Sequence, residues 1–176
     1  MREILASMGL GLAVLALLVQ AAAAAQTQVA YHAATDTYYE LVQQPPPVRK
    51  NDLAWKDAAA QAARKSHKGR PGRLAIVDGP EVHQFLTETF SFERPTWIGL
   101  RYWCRYRRMM WVDGTTHPHG DFQVWTSPWH RTQIRCGRND IPYMPVYYTS
   151  QGRWQASGVA KRFMAYLVAY PPKEEG

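Results

Sequence analysis

The sequence predicts a single α+β domain in which two helices precede a series of short strands and long loops. Apolar residues at helical spacing indicate the first helix over 52–66, and a capping pattern that begins at Asp78 indicates the second. After Pro95 the chain is rich in Trp, Tyr, Gly and Pro and has only short apolar runs, as strands joined by turns do. Helices grouped before many short strands are typical of an α+β domain, and 176 residues leave room for one such domain.

The first residues have the pattern of a secretory signal peptide. Arg2 precedes an apolar run from Met8 to Val19, and the small residues Ala21–Ala25 follow it. We therefore expect residues 1–25 to be removed on export, which makes the mature protein secreted or periplasmic. A membrane anchor is the alternative, but the apolar run is shorter than the about 20 residues that span a bilayer. No later segment is apolar enough to be a transmembrane segment.

The charge and the cysteines limit the possible partners. The net charge of +7 survives removal of the signal peptide, because that segment holds one Arg and one Glu. A basic exported protein favours anionic partners such as acidic glycans, envelope polymers or membrane surfaces, whereas export disfavours nucleic acid. Cys104 and Cys136 are expected to pair in an oxidising compartment, with two buried thiols as the alternative.

The front of the mature chain is predicted to contain one strand and one helix. Residues 26–37 carry few large apolar side chains and are expected to form a flexible leader. Tyr38–Val42 is predicted to be a strand, which the prolines of 43–48 end. Asn51 is the predicted cap of the first helix. The inner face of that helix is expected to consist of Leu53, Trp55, Ala58, Ala59 and Ala62.

The second helix lies between two predicted strands. Leu74–Val77 has the composition of a buried strand. Asp78 is the predicted helix cap, with Pro80 in the first turn and Glu81 three residues after the cap. Residues 163–170 are predicted to form the last strand. The inner face of the second helix is expected to be Val82, Phe85 and Leu86.

The order of several short motifs resembles the C-type lectin-like domain, in particular its exported bacterial form. The resemblance covers about 38–170 and implies a C-type lectin-like domain over 38–171 with a tail over 172–176. Each motif is weak by itself, but together they occur in the expected order and at plausible spacing. The resemblance implies two helices packed on short antiparallel sheets, a long loop region, and pairing of the first and last strands. The motifs are Trp55–Ala58, Gly72–Ala75, Phe85–Leu86, Trp97–Leu100 and Trp111–Gly114, followed by Trp125 and Trp154.

The resemblance gives most of these motif residues a structural role. Trp97 and Leu100 would fill the space between helices and sheet. Gly99 would allow another backbone or ring to come close where a side chain would collide. Asp113 and Gly114 would supply the turn that opens the long loop region.

The cysteines depart from the pattern of the family. Its members usually have two disulfides, one of which joins the first helix to the last strand. Here those two positions are Ala62 and Val168, so packing must replace that bridge. Cys136 occupies a family position, but its usual partner, shortly after Trp154, is missing. A rewired bridge between Cys104 and Cys136 that holds the long loops is our hypothesis.

The calcium ligands of the sugar-binding members are also missing. Those members hold calcium with Glu-Pro-Asn or Gln-Pro-Asp in the long loop, a nearby acid, and Asn-Asp after the last core Trp. Here the corresponding segments are Ser127–Trp129, Ile134–Arg135 and Gln155–Ser157. Calcium requires six to eight oxygen ligands, several of them carboxylates. The resemblance therefore implies that the calcium-dependent sugar site is absent, and we expect no metal and no cofactor.

Aromatic and basic residues in the same loops are the candidate ligand-binding residues. Trp129, His130 and Arg131 place a flat ring beside two polar side chains. A second stretch interleaves arginines with aromatic residues, and such arginines can bind phosphate or carboxylate in a bidentate manner. As alternatives, Trp129 packs under the loop and the arginine stretch is only a solvated loop face. The arginines are Arg101, Arg105, Arg107 and Arg108, and the aromatic residues are Tyr102, Trp103 and Tyr106.

The segment with His117, His119 and Asp121 is the one pattern of the sequence that resembles a metal site. A catalytic zinc site needs three well-placed ligands and an open position, and turns hold His and Asp for other reasons. No catalytic triad or acid–base pair is recognisable, so we do not expect an enzyme. The sequence predicts an exported, non-catalytic protein that binds a glycan or an anionic envelope polymer without calcium. Protein–protein recognition is the alternative, and metal-dependent hydrolysis at this segment is a remote one.

Overall fold

The structure of the protein is a computed structural model. The predicted signal peptide, His119 and the candidate group Trp129–Arg131 lie outside the described residues. The described residues are 28–44, 52–118, 120–127, 136 and 141–173.

The described part of the chain contains two α-helices, a short 3-10 helix (Ala33–Thr35) and thirteen short strands, which confirms the predicted α+β class. The helices are α1 (Trp55–Ala63) and α2 (Pro80–Thr89). The strands before α2 are β1 (Gln28–His32), β2 (Thr37–Gln43), β3 (Leu53–Ala54), β4 (Ser66–His67), β5 (Arg70–Pro71) and β6 (Arg73–Leu74). Those after it are β7 (Thr96–Trp103), β8 (Arg108–Trp111), β9 (Thr116–His117), β10 (Tyr143–Tyr148), β11 (Trp154–Ala156), β12 (Arg162–Phe163) and β13 (Ala165–Tyr170).

One nine-stranded sheet organises the molecule. Its main path runs β1-β2-β13-β7-β10-β11, with β6 beside β13, β8 beside β7, and β9 beside β8. The last strand pairs with β2 over its whole length, from Ala165 opposite Gln43 to Tyr170 opposite Tyr38. The predicted pairing of the first and last strands of the domain is thus confirmed. The contact between β13 and β7 is parallel, whereas the sequence analysis expected antiparallel sheets.

The predicted flexible leader over 26–37 is wrong for its described residues. Gln28–His32 form strand β1, which pairs with β2 in antiparallel register. Arg70 then holds the turn between them, since its Nη2 atom donates to Asp36 Oδ1 at 2.9 Å. This strand lies at the edge of the sheet, where Val29 and Tyr31 remain exposed. Backbone pairing, rather than burial of large apolar side chains, therefore orders the segment.

Both helices begin later than the sequence predicts. Helix α1 starts at Trp55 because Leu53–Ala54 pair as β3 with β12, far along the chain. It ends at Ala63, and the following residues form the β4–β5 hairpin. Helix α2 has Gly79 at its N-cap with no side-chain cap, so Asp78 does not cap it. Pro80 lies in the first turn, as predicted.

The central sheet has a hydrophobic core on each face. Alternate residues of β7 enter different cores: Trp97 packs with the buried face of α1, and Ile98 packs with that of α2. The α1 core includes Ala58 and Ala62, and the α2 core includes Leu86. Because side chains alternate along a strand, β7 can serve both cores at once.

Gly99 allows two backbones to meet in the centre of the fold. The Gly99 N–H donates to Ala75 O at 2.8 Å, and the Ala75 N–H donates to Leu167 O at 2.9 Å. A Cβ atom on Gly99 would lie 2.8 Å from Ala75 O. The predicted close approach at this glycine is confirmed. The strand predicted over 74–77 is shorter in the structure, because β6 ends at Leu74. The next residue, Ala75, forms one backbone hydrogen bond with Leu167 of β13 and one with Gly99 of β7.

A polar network joins α1 to the first and last strands where the family disulfide is absent. Ala62 and Val168 are fully buried in the same core. Beside them, Glu40 of β2 is only 4% exposed and accepts a hydrogen bond from the Tyr170 hydroxyl of β13. Lys65, just after α1, lies 3.0 Å from the other Glu40 oxygen. Packing and this network together join α1 to the first and last strands of the domain.

Candidate binding surface

The hairpin between β7 and β8 exposes a cluster of arginines. Its last strand pair is Trp103 opposite Arg108, and the loop between them turns through Arg107, whose φ of 52° is left-handed. Arg105, Arg107 and Arg108 are all exposed at this tip. Tyr106 lies among them with 53% of its surface exposed. The structure thus brings three of the four predicted arginines to one end of the central sheet.

A disulfide ties this tip to Cys136, which lies between β9 and β10 in the sequence. Cys104 and Cys136 are bonded, with their Cα atoms 5.6 Å apart, which confirms the rewired pairing. The Cys104 N–H also donates to Pro142 O at 3.1 Å. Since Cys136 lies between β9 and β10, the bridge fixes the hairpin tip against the entry to β10.

A surface pocket opens beside the disulfide. Its walls combine aromatic rings, one arginine and the cystine itself. The rings of Trp103 and Tyr106 lie 6.2 Å apart, centre to centre, on one side of it. Flat aromatic walls next to a cation are suited to a planar or ring-shaped anionic ligand. The lining residues are Trp103, Cys104, Arg105, Tyr106, Cys136, Ile141 and Pro142.

Arg101, the fourth predicted arginine, lies in different surroundings. It is partly buried on the α1 face of the sheet, where three aromatic rings surround its guanidinium group. The guanidinium carbon lies 4.3 Å from the ring centre of Trp55, 4.6 Å from that of Trp103 and 5.2 Å from that of Tyr143. Burial lowers the pKa of Arg101, and the nearby Tyr143 phenol opposes this shift. The four arginines therefore form an exposed group of three and one caged arginine.

The sequence analysis missed two members of this cage. It assigned Trp55 only to the inner face of α1, and it did not single out Tyr143. The period of two along β7 does place Arg101 and Trp103 on one face of the sheet. However, Tyr143 arrives through the pairing of β10 with β7, where it lies opposite Trp103. No local pattern in the sequence encodes that register.

The histidine and aspartate segment does not form a metal site in the described part of the chain. His117 is 5% exposed, and its ring lies 5.5 Å from that of Trp111 and 5.6 Å from that of Trp154. It is therefore a core aromatic residue, whereas Asp121 is exposed. Among the described residues, no three His, Cys, Asp or Glu side chains come together so that they could hold a metal ion.

The segment after Trp154 belongs to the sheet. Gln155 and Ala156 are part of β11 and pair with Tyr147 and Val146 of β10. The Ser157 N–H then donates to Pro145 O at 2.9 Å. None of these three residues carries a carboxylate.

These features define the class of fold. Paired first and last strands, one helix on each face of the central sheet and a buried Trp97–Leu100 strand together make the fold of a C-type lectin-like domain. Within the described ranges, neither helix is long and apolar enough to cross a membrane.

Comparison with solved structures agrees with this assignment. The C-type carbohydrate-recognition domain of cow CD23, crystallised with a GlcNAc2Man3 oligosaccharide, aligns with a TM-score of 0.56 at 20% identity. That alignment covers 78% of this chain and 89% of the CD23 domain. Human lithostathine aligns with a TM-score of 0.56 at 18% identity, over 83% of this chain and 88% of lithostathine. The C-type lectin CEL-I from Cucumaria echinata aligns with a TM-score of 0.52 at 16% identity, over 76% and 89% of the two chains. No protein-family profile and no curated protein sequence matches the chain.

Proposed function

We propose that the protein is a non-catalytic binding module that recognises a glycan or an anionic envelope polymer through the β7–β8 hairpin tip. The observation that carries this proposal is the exposed group Arg105, Arg107 and Arg108 around Tyr106, beside an aromatic pocket. Aromatic rings can stack on sugar rings, while arginines form bidentate pairs with carboxylate or phosphate. The solved CD23 domain, crystallised with an oligosaccharide, has the same fold and supports the assignment. The candidate group Trp129, His130 and Arg131 remains part of this proposal as a second contact region.

We further propose that recognition does not need calcium. In place of the paired acids and amides of the calcium-binding members, this chain has Ser127 before the loop proline and Gln155–Ser157 after Trp154. Calcium sites draw several of their six to eight oxygens from carboxylates, and these positions offer none. Cationic and aromatic side chains would then make the contacts themselves.

The site of action is proposed to be outside the cytoplasm. The Cys104–Cys136 disulfide favours an oxidising compartment, where such bonds persist. The predicted signal peptide over 1–25 favours the same location. There the net charge of +7 would attract acidic polymers over long range.

An array of neutral glycans, acidic glycans and envelope polymers tests the proposal. The purified protein is applied with calcium and with excess chelator, at low and high salt. The triple variant Arg105→Gln/Arg107→Gln/Arg108→Gln should lose about tenfold in affinity for the bound polymer, because three exposed ion pairs of about 0.5 kcal/mol each contribute about 1.5 kcal/mol together. Chelator should leave the signal unchanged, and added salt should weaken it.

A matched variant controls for net charge. Lys56, Arg64 and Lys161 are exposed on the body of the domain and belong to no ion pair among the described residues. Their triple replacement by Gln should leave affinity within about twofold of the wild type, since they lie away from the tip. Equal losses in both triple variants would contradict a localised site. Capture of a protein ligand with no polymer signal would favour the alternative, protein–protein recognition.

A further inference from the structure

Three aromatic rings lie close to the guanidinium group of Arg101. Its central carbon is 4.3 Å from the ring centre of Trp55, 4.6 Å from that of Trp103 and 5.2 Å from that of Tyr143. Aromatic rings attract the positive charge of the group, but they do not replace the oxygen acceptors that its N–H donors need. The cage therefore holds the arginine in one orientation but does not satisfy its hydrogen bonds.

Two donors at this place are buried without an acceptor in the described part of the chain. They are the Nε atom of Arg101 and the indole Nε1 atom of Trp103. The other indole of the cage differs, since Trp55 Nε1 donates to Ile98 O at 2.7 Å. A buried donor without a partner costs about 1–3 kcal/mol, more when it is charged. Arg101 and Trp103 are neighbours on one face of β7, so an acceptor that approaches the guanidinium group beside Trp103 could serve both side chains.

No carboxylate of the described chain compensates the charge of Arg101. Other basic residues do have such partners: Lys65 pairs with Glu40, and Arg70 pairs with Asp36. Arg101 belongs to none of the ion pairs between described residues. A partly dehydrated cation without a counterion is unfavourable, and an anion from outside would relieve that cost.

The geometry points to Arg101 and Trp103 as an oxyanion subsite that selects a carboxylate on a sugar ring, as in a uronic acid residue. This inference rests on the proposed function and specifies which saccharide the surface accepts. The carboxylate would accept from Arg101 Nε and Trp103 Nε1. The sugar ring would lie toward the pocket that Trp103 shares with Tyr106 and Arg105. The exposed arginines of the tip then bind neighbouring acidic units, and Arg101 distinguishes a uronate from a neutral sugar.

Calorimetric titration with two oligosaccharides of equal length tests the subsite. Tetragalacturonate carries the carboxylates, and maltotetraose carries none. The wild type should bind tetragalacturonate at least about tenfold more tightly, as expected for a charge-assisted hydrogen bond. Arg101→Gln should reduce this preference by about five- to tenfold and leave the smaller part that the exposed arginines of the tip contribute, whereas Arg105→Gln should reduce affinity by no more than about threefold.

Two milder variants keep the test valid if Arg101→Gln does not fold. Trp103→Phe keeps an aromatic ring and removes only the Nε1 donor, and it should weaken tetragalacturonate binding by about five- to tenfold. Arg101→Lys keeps the positive charge but not the planar fork, and it should weaken binding to a similar degree. Melting temperatures measured in parallel identify any variant that is unfolded.

The possible results separate the subsite from the proposed function. Equal affinity for both oligosaccharides, or unchanged preference in all three variants, would overturn the subsite and leave saccharide binding standing. Binding of neither oligosaccharide, together with no signal on the glycan and polymer array, would overturn the proposed function itself. Binding of a tetraglutamate peptide as tightly as tetragalacturonate would show that the subsite recognises a carboxylate but not the sugar ring that carries it. That result would overturn the assignment of a uronic acid as the ligand.

Discussion

Replacing Tyr170 with Phe should destabilise the protein through the polar network that joins the first and last strands of the domain to the end of α1. The substitution removes one hydroxyl group and keeps the ring. That hydroxyl donates to Glu40, a carboxylate that is only 4% exposed. Hydrogen bonds to charged groups contribute about 1.5–3 kcal/mol. Because Lys65 still pairs with Glu40 at 3.0 Å, we expect a loss near the middle of that range, about 2 kcal/mol.

The same substitution at Tyr166 is the matched control. This tyrosine lies on the same face of β13, and its hydroxyl donates to the neutral side chain of Gln61 at 3.1 Å. A neutral hydrogen bond contributes about 1 kcal/mol, so Tyr166→Phe should cost about half as much as Tyr170→Phe. The comparison removes the general effect of losing a tyrosine hydroxyl from this strand.

Urea unfolding followed by tryptophan fluorescence measures both losses. The midpoint should shift while the slope m stays constant, because the surface exposed on unfolding does not change. In a thermal scan, a loss of about 2 kcal/mol corresponds to about 4–8 °C for a domain of this size. A double-mutant cycle with Glu40→Gln should show a coupling energy above about 0.5 kcal/mol. If Tyr170→Phe costs no more than Tyr166→Phe, or if the cycle shows no coupling, the network does not stabilise the junction.

Three further outcomes follow from the fold. Gly99→Ala should lower the free energy of unfolding, measured by calorimetry, by about 1–3 kcal/mol, because its Cβ would lie 2.8 Å from a backbone oxygen. Gly158→Ala is the control and should cost little, because a Cβ atom there meets nothing within 4 Å. Equal costs of the two substitutions would contradict the close approach at Gly99. Burial raises the pKa of Tyr166 to about 12 in the folded state, whereas the phenol of an unfolded chain ionises near pH 10. The folded state is therefore favoured fully below pH about 10, and this contribution to stability should be lost as the pH rises towards 12. Absorbance at about 295 nm during alkaline titration monitors this ionisation, and a tyrosine population that titrates only near pH 10 in the folded protein would contradict it. Replacing Cys104 and Cys136 with Ser should lower the free energy of unfolding by about 3–4 kcal/mol in urea titrations, because the bridge joins residues that are 32 positions apart. An unchanged unfolding midpoint would show that the disulfide does not contribute to stability.

The parts of the fold that the sequence predicts well are those encoded in local patterns. Trp97 and Leu100 are buried, and Gly99 allows a close backbone approach, as their motif implies. Large apolar side chains in a short strand favour burial whatever their partners are. The turn at Asp113 is equally local: its Oδ1 atom accepts from both the N–H and the hydroxyl of Thr115. Gly114 then takes a left-handed φ of 91°.

The errors arise where a distant partner decides the local structure. Gln28–His32 have a weak strand pattern of their own and become a strand because β2 offers an edge. Leu53–Ala54 leave the predicted helix because β12 pairs with them. In these two segments tertiary pairing outweighs a weak local preference. The predicted cap at Asp78 is a different kind of error, because the helix begins one residue later, with Gly79 at its N-cap.

The candidate site shows the same division. The alternation along β7 is enough to place Arg101 and Trp103 together, and the run of arginines after it is visible in the sequence. The cage itself depends on the β10 register and on the position of α1, which bring Tyr143 and Trp55 to the arginine. A binding subsite made by three separate elements has no signature in any one of them.

The division of labour along β7 has a consequence for how the protein can change over time. Most residues of β7 up to Tyr102 are buried in one of the two cores, whereas Arg105–Arg108 beyond Trp103 are exposed and follow a cysteine that is bonded to Cys136. Substitutions at these exposed positions should therefore have little effect on folding. Selection for stability thus acts mainly on the strand, and only selection for binding would act on the exposed residues that follow it.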